Sequence, residues 1–112
     1  MTDCLFCKMV AGDIKPDVVY ENDQILAFRD INPQAPVHIL IIPKRHITTL
    51  NDLDDTQLGG QIVLATVELA KREGLAEDGY RTVFNCNKNG GQAVYHLHLH
   101  LLGGRQMGWP PG

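Results

Sequence analysis

The chain has 112 residues, 10 lysines and arginines against 13 aspartates and glutamates, a formal net charge of −3, and 44% hydrophobic and 21% charged residues. That length and composition suit one ordinary globular domain over residues 1–112 and argue against intrinsic disorder. Basic residues come singly or in pairs, which disfavours nucleic acid or an anionic membrane surface as partner, and apolar stretches such as Ile39 to Ile42 fall far short of the ~18 residues of a membrane span.

Met1-Thr2-Asp3-Cys4 has neither a basic nor an apolar leader region, so a cytoplasmic location is expected. Leu5 to Val10 carries a weak helical pattern that ends near Gly12, and Pro16 bars its continuation. Val18 to Tyr20 and Ile25 to Phe28 read as two strands of a hairpin turning at Glu21-Asn22-Asp23. Pro33 and Pro36 make a loop, and Val37 to Ile42 is an almost wholly apolar strand, hence central, with His38 its one polar residue. The strongest helix runs from about Thr56 to Glu73. Leu58, Ile62, Ala65 and Leu69 form one stripe along it, with Asp54 as the expected cap. Tyr80 to Asn85 and Val94 to Leu102 read as the last two strands, with an Asn87-to-Gly91 loop between them. The sum is an α+β domain, a mainly antiparallel five-stranded sheet with one long and one short helix.

Residues 94 to 102 read Val-Tyr-His-Leu-His-Leu-His-Leu-Leu. Strand alternation places His96, His98 and His100 on one face and three leucines on the other. A solvated strand face more usually carries Thr, Lys or Glu, because adjacent imidazoles repel once protonated. Two chemistries use such a row. Neighbouring imidazoles can share a metal ion, although His96 and His100 stand ~13 Å apart at ~3.3 Å per residue. A phosphate lying along the strand could instead meet a nucleophile and hydrogen-bond donors. The preceding Gly90-Gly91-Gln92 offers backbone N–H groups that a ligand can approach. Cys4-x-x-Cys7 has the spacing of half a structural metal site, and Cys86 reads as an inert thiol.

His96-Leu97-His98-Leu99-His100-Leu101-Leu102 resembles the His-φ-His-φ-His-φ-φ signature of the histidine-triad (HIT) superfamily. Phe28 to Pro36, His38, Ile42-Pro43-Lys44, Gly90-Gly91-Gln92, Gly103-Gly104-Arg105 and Trp109 to Gly112 are similar to its nucleotide-binding branch, so the likeness spans nearly the whole chain. The resemblance implies a two-fold dimer with a continuous ten-stranded sheet, and a nucleotidyl hydrolase acting on purine nucleoside 5′-phosphoramidates such as AMP joined to an amine. It makes His98 the nucleophile and His100 and His38 its supporting imidazoles. Asp30 would hold the ribose, Phe6, Phe28 and Ile31 would flank the purine, and Asn85, Gly91, Gln92 and Ala93 would lie on the phosphate side. Ala93 stands where many relatives carry a hydroxyl that reaches the leaving group.

Zinc-bearing members of the superfamily look similar in a second respect, which assigns Cys4, Cys7, His46 and His96 to a structural zinc; no organic cofactor is implied. Dinucleoside polyphosphate hydrolysis, nucleotidyl transfer, or a nucleotide-binding interaction protein with incidental catalysis are the alternatives. The tail from 103 to 112 is expected to dock on a partner subunit through Trp109.

Overall fold

A computed structural model describes residues 3–112. Helix α1, Leu5–Ala11, starts where Cys4 Sγ accepts the Cys7 N–H at 3.3 Å, and it stops at Gly12, whose φ of +88° is a left-handed cap that glycine adopts without strain. Strands β1, Val18–Glu21, and β2, Ile25–Arg29, form the expected hairpin. Asn22 closes the turn, its Oδ1 accepting the Gln24 and Ile25 N–H groups at 2.8 and 2.9 Å. Strand β3, Val37–Pro43, is followed by a 3₁₀ turn, Leu50–Asp52, and by helix α2, Thr56–Arg72. Strand β4, Tyr80–Phe84, a single helical turn α3, Asn87–Gly90, and strand β5, Leu99–Gly103, complete the order.

All strand pairs are antiparallel in the order β1-β2-β3-β5-β4, so β3 is central as its apolar run implied. Alternation divides the core. Ile25, Ala27, Ile39, Ile41, Leu99 and Leu101 pack with Leu58, Ile62 and Leu69 of α2 on one face. Leu26, Phe28, Leu40 and Ile42 pack with Phe6 of α1 on the other. The sheet is thus covered by a long helix on one side and a short one on the other, and the short side is where the functional groups gather. Among the described residues no helix is long and apolar enough to cross a membrane.

Five expectations need adjusting. The last strand begins at Leu99, five residues later than the hydrophobic alternation suggested. Its ladder with β3 ends at the Ile41 to Leu99 pair, and Leu97 N–H turns instead to Ile47 O at 2.6 Å. Asp55 rather than Asp54 caps α2, accepting from Leu58 N at 3.1 Å, and that helix ends at Arg72 with Glu73 as its cap. Strand β4 stops at Phe84, one residue short of Asn85, and the expected Asn87-to-Gly91 loop holds the turn α3, ended by Gly91 at a φ of +76°.

Candidate functional site

A cavity of about 320 Å³ opens between α1, the chain leading into β1, and the α1 face of the sheet. Phe6 and Met9 from α1, Phe28 from β2 and Leu40 from β3 give it an apolar wall; His98 and His100 close one end. Phe6 and Phe28 meet edge to face at 5.4 Å. Asp30, Ile31 and Ala93 also line it, and Ile31 is 97% exposed at the lip. Two cations sit on the lining. Arg29 is held by two parallel bonds to Glu73 at 2.9 and 3.0 Å, while Lys15 makes no ion pair among the described residues.

Hydrogen bonds assign a protonation state to each imidazole. The His98 Nδ1 lies 2.7 Å from the His96 carbonyl oxygen, which only accepts, so Nδ1 carries the proton and Nε2 keeps its lone pair. His38 Nδ1 accepts the Gln34 N–H at 3.0 Å, which places the His38 proton on Nε2. That proton is shared with His100 Nδ1 at 2.9 Å, with Asp30 Oδ2 at 3.5 Å beyond it. His100 therefore carries its proton on Nε2, a buried N–H with no partner among the described residues. One imidazole presents a lone pair and the next an unsatisfied donor. Burial holds all three rings below the ordinary histidine value; for His98 the His96 carbonyl and Asp30 oppose it, and for His38 Asp30 does. In His100 burial, then His98 and His38, push the value down to about 4, so the ring is neutral at pH 7.

Not every expected residue lines the cavity. His38 sits behind His100 as its orienting partner. The Gln92 side chain is spent inside the loop, its Nε2 donating to Thr48 O at 2.9 Å and Val94 O at 3.1 Å and its Oε1 accepting from Asn87 N at 2.9 Å. The Gly91 and Gln92 N–H groups are bonded to Lys88 O and Asn87 O, and neither they nor Asn85 are on the lining. Met9, Ile14, Lys15, Pro16, Leu40 and Val94 line it unforeseen. Met9 follows Phe6 by one helical turn and Leu40 shares the strand face of His38, so two of these had a periodic signal.

Cys4, Cys7, His46 and His96 bring four donor atoms within 4.8 Å of one another. Cys4 Sγ is 3.3 Å from His96 Nδ1, and Cys7 Sγ is 3.2 Å from His46 Nδ1 and 3.5 Å from His96 Nδ1. His96 Nε2 donates to the Pro43 carbonyl at 2.8 Å, which leaves the Nδ1 lone pair facing the sulfurs. Two thiols and two imidazoles are a donor set that suits a tetrahedral, thiophilic cation, and the carbonyl partner fixes the ligating tautomer. Burial, then the neighbouring Cys4, raises the Cys7 thiol above its ordinary value, a cost that a bound cation would reverse.

A family model described as HIT domain matches residues 11–107. The purine nucleoside phosphoramidase of Escherichia coli strain K12 is 49% identical over 108 residues, covering 95% of this chain and 91% of that protein. A protein of Zea mays described as a 14 kDa zinc-binding protein is 52% identical over 112 residues, covering 96% of this chain and 87% of its own. The crystal structure of a HIT family hydrolase from Legionella pneumophila Philadelphia 1 superposes with a TM-score of 0.96 at 61% identity, covering 98% of this chain and all of that one.

Proposed function

Because the chain belongs to the HIT family, we propose that it is a nucleotidyl hydrolase of purine nucleoside 5′-phosphoramidates, working through a nucleotidyl-histidine intermediate. The observation that carries this reading is the opposite polarity of His98 and His100 at one end of an apolar cavity. The purine lies against the apolar wall that Phe6 and Phe28 make together, and the Asp30 carboxylate accepts from the ribose diol. His98 Nε2 attacks the α-phosphorus, a histidine–phosphorus bond forms, and the phosphorus–nitrogen bond to the amine breaks as the amine takes up a proton from solvent, which the later attack of water returns. The bond from His98 Nδ1 to the His96 carbonyl steadies the charge that then develops on the ring. His100 Nε2–H donates to a non-bridging oxygen as its charge grows. Water then cleaves the histidine–phosphorus bond, releasing the nucleoside monophosphate and restoring the ring.

The Gly91–Gln92 turn supports this end by holding the loop that delivers Ala93 to the lining. Cys4, Cys7, His46 and His96 would hold zinc, which supplies a closed structural tie with no open position for chemistry. We read residues 1–112 as one HIT domain, acting in the cytoplasm as a two-fold dimer joined through the outer edge of β4. A phosphoramidate of AMP is the deciding substrate. Rapid-quench sampling of wild-type protein should trap AMP bound to the chain and release of free AMP should follow; no labelled chain and no AMP release would reject the reading.

A further inference from the structure

His98 stands one residue ahead of β5, where the β3–β5 and β4–β5 ladders have not yet begun. The sheet therefore does not hold its backbone, yet the ring is buried to 7% exposure and aimed by one 2.7 Å bond. His96 gives that bond through its carbonyl oxygen while its own ring, fully buried, belongs to the Cys4–Cys7–His46–His96 cluster. Leu97, between them, is tied to Ile47, the neighbour of His46. Phe6 lies on α1 between the two cysteines and packs edge to face on both His96, at 5.8 Å and 72°, and His98, at 5.2 Å and 85°. Two routes thus run from the cluster to the His98 ring, one through the His96 main chain and one through the Phe6 side chain.

We propose that the cluster is a positioning device for His98, so that loading it with a zinc-class cation sets the rate of attack and leaves nucleotide affinity nearly unchanged. This rests on the reading of His98 as the nucleophile. With free thiols, the cluster is joined by weak sulfur contacts of 3.2 to 3.5 Å, so the Nδ1 side of the His96 ring is held less firmly than its Nε2 side, which is bonded to the Pro43 carbonyl. Thiolate and imidazole ligation replaces these with short directed bonds on Cys4, Cys7, His46 and His96. Small displacements of a reacting group are costly, so loss of this support should lower kcat by about tenfold.

The test compares full-length protein stripped by a chelator with the same protein titrated by zinc or by cobalt(II). The thiolate-to-cobalt absorption band reports loading independently of turnover. As that band grows, kcat on an AMP phosphoramidate should rise about tenfold, KM and the Kd for AMP should stay within about twofold, and the His98 Nδ1–H resonance should sharpen. Cys4→Ser, whose hydroxyl still caps α1, should show the stripped kcat and no response to either cation. Equal kcat in stripped and loaded protein overturns the inference, and so does a parallel loss of kcat and AMP affinity, which would mark the cluster as a mere fastener of α1. Loaded protein with no turnover at all rejects the proposed reaction instead. The His98 resonance then decides the coupling, which is lost if loading leaves that signal unchanged.

Discussion

His98 and His100 lie two residues apart, yet the Nε2 of one keeps a lone pair and the Nε2 of the other carries the proton, because an acceptor meets the His98 Nδ1 and a donor meets the His100 Nδ1. A carbonyl takes the His98 proton, and a neighbouring imidazole supplies one to His100. Replacing His98 by Ala should remove the attacking lone pair and lower turnover by more than about 10³-fold, with AMP affinity changed little, since the apolar walls remain. Steady-state kinetics with equilibrium binding of AMP checks this; near-normal turnover would sink the mechanism. A pH effect belongs to the same scale. The folded His100 value is about 4, below its ordinary 6.5, so below pH 6.5 the unfolded chain binds more protons than the folded one. This contribution to stability is full above pH 6.5 and is lost as pH falls from there to about 4, on the order of 1–3 kcal/mol. Thermal melts of wild type and His100→Gln across that window should converge as pH falls; curves that stay parallel would contradict the assignment.

At the scale of elements, α1 and the residues after β3 are short and weakly periodic, and side-chain chemistry ties them down. Zinc at Cys4, Cys7, His46 and His96 would join α1, the β3 exit and the approach to β5. Purified protein should contain close to one zinc per chain. Replacing Cys7 by Ser should remove it and lower the melting temperature by roughly 4 °C or more; metal-free protein with an unchanged melting temperature would dispose of the site. The elements with strong periodicity, β2, β3 and α2, were legible nearly to the residue. The start of β5 was not, because alternation continues through His96 and His98 while the ladder does not, and only the position of β3 decides where pairing stops. The site was legible in the same uneven way. His98 and the cysteine pair stand out by spacing, and His38 by being polar in an apolar strand. The bonds by which the Gln92 side chain holds a loop from inside depend on Thr48, 44 residues away in the chain, and nothing local reports them.

At the scale of the whole molecule, β4 is an edge strand, and its Tyr80 and the neighbouring Val63 of α2 stand 37% and 50% exposed along a groove that Val67 and Phe84 also line. An unpaired edge beside an apolar helix face is suited to pairing with a second copy across a two-fold axis. In that arrangement Val67→Asp should place a charge in the interface, and sedimentation should report a shift from dimer toward monomer.

The C-terminal tail leaves the sheet at the end of β5. It is tethered where Arg105 donates twice to Gln34 O, at 3.1 and 3.0 Å, and where Arg81 donates to Gly108 O at 2.7 Å, so its course over the surface is set, while Trp109 remains 84% exposed. A tethered segment that carries a bare indole is prepared to be covered, and in the proposed dimer the second copy would supply the surface. The tail should then border the partner's cavity at the leaving-group end, the end where Ala93 supplies no hydroxyl. Removing residues 105–112 should reorder preference among a series of AMP–amine substrates, seen as changes in relative kcat/KM, while the Kd for AMP stays close to wild type. A truncated dimer with wild-type ranking would make the tail a passive terminus.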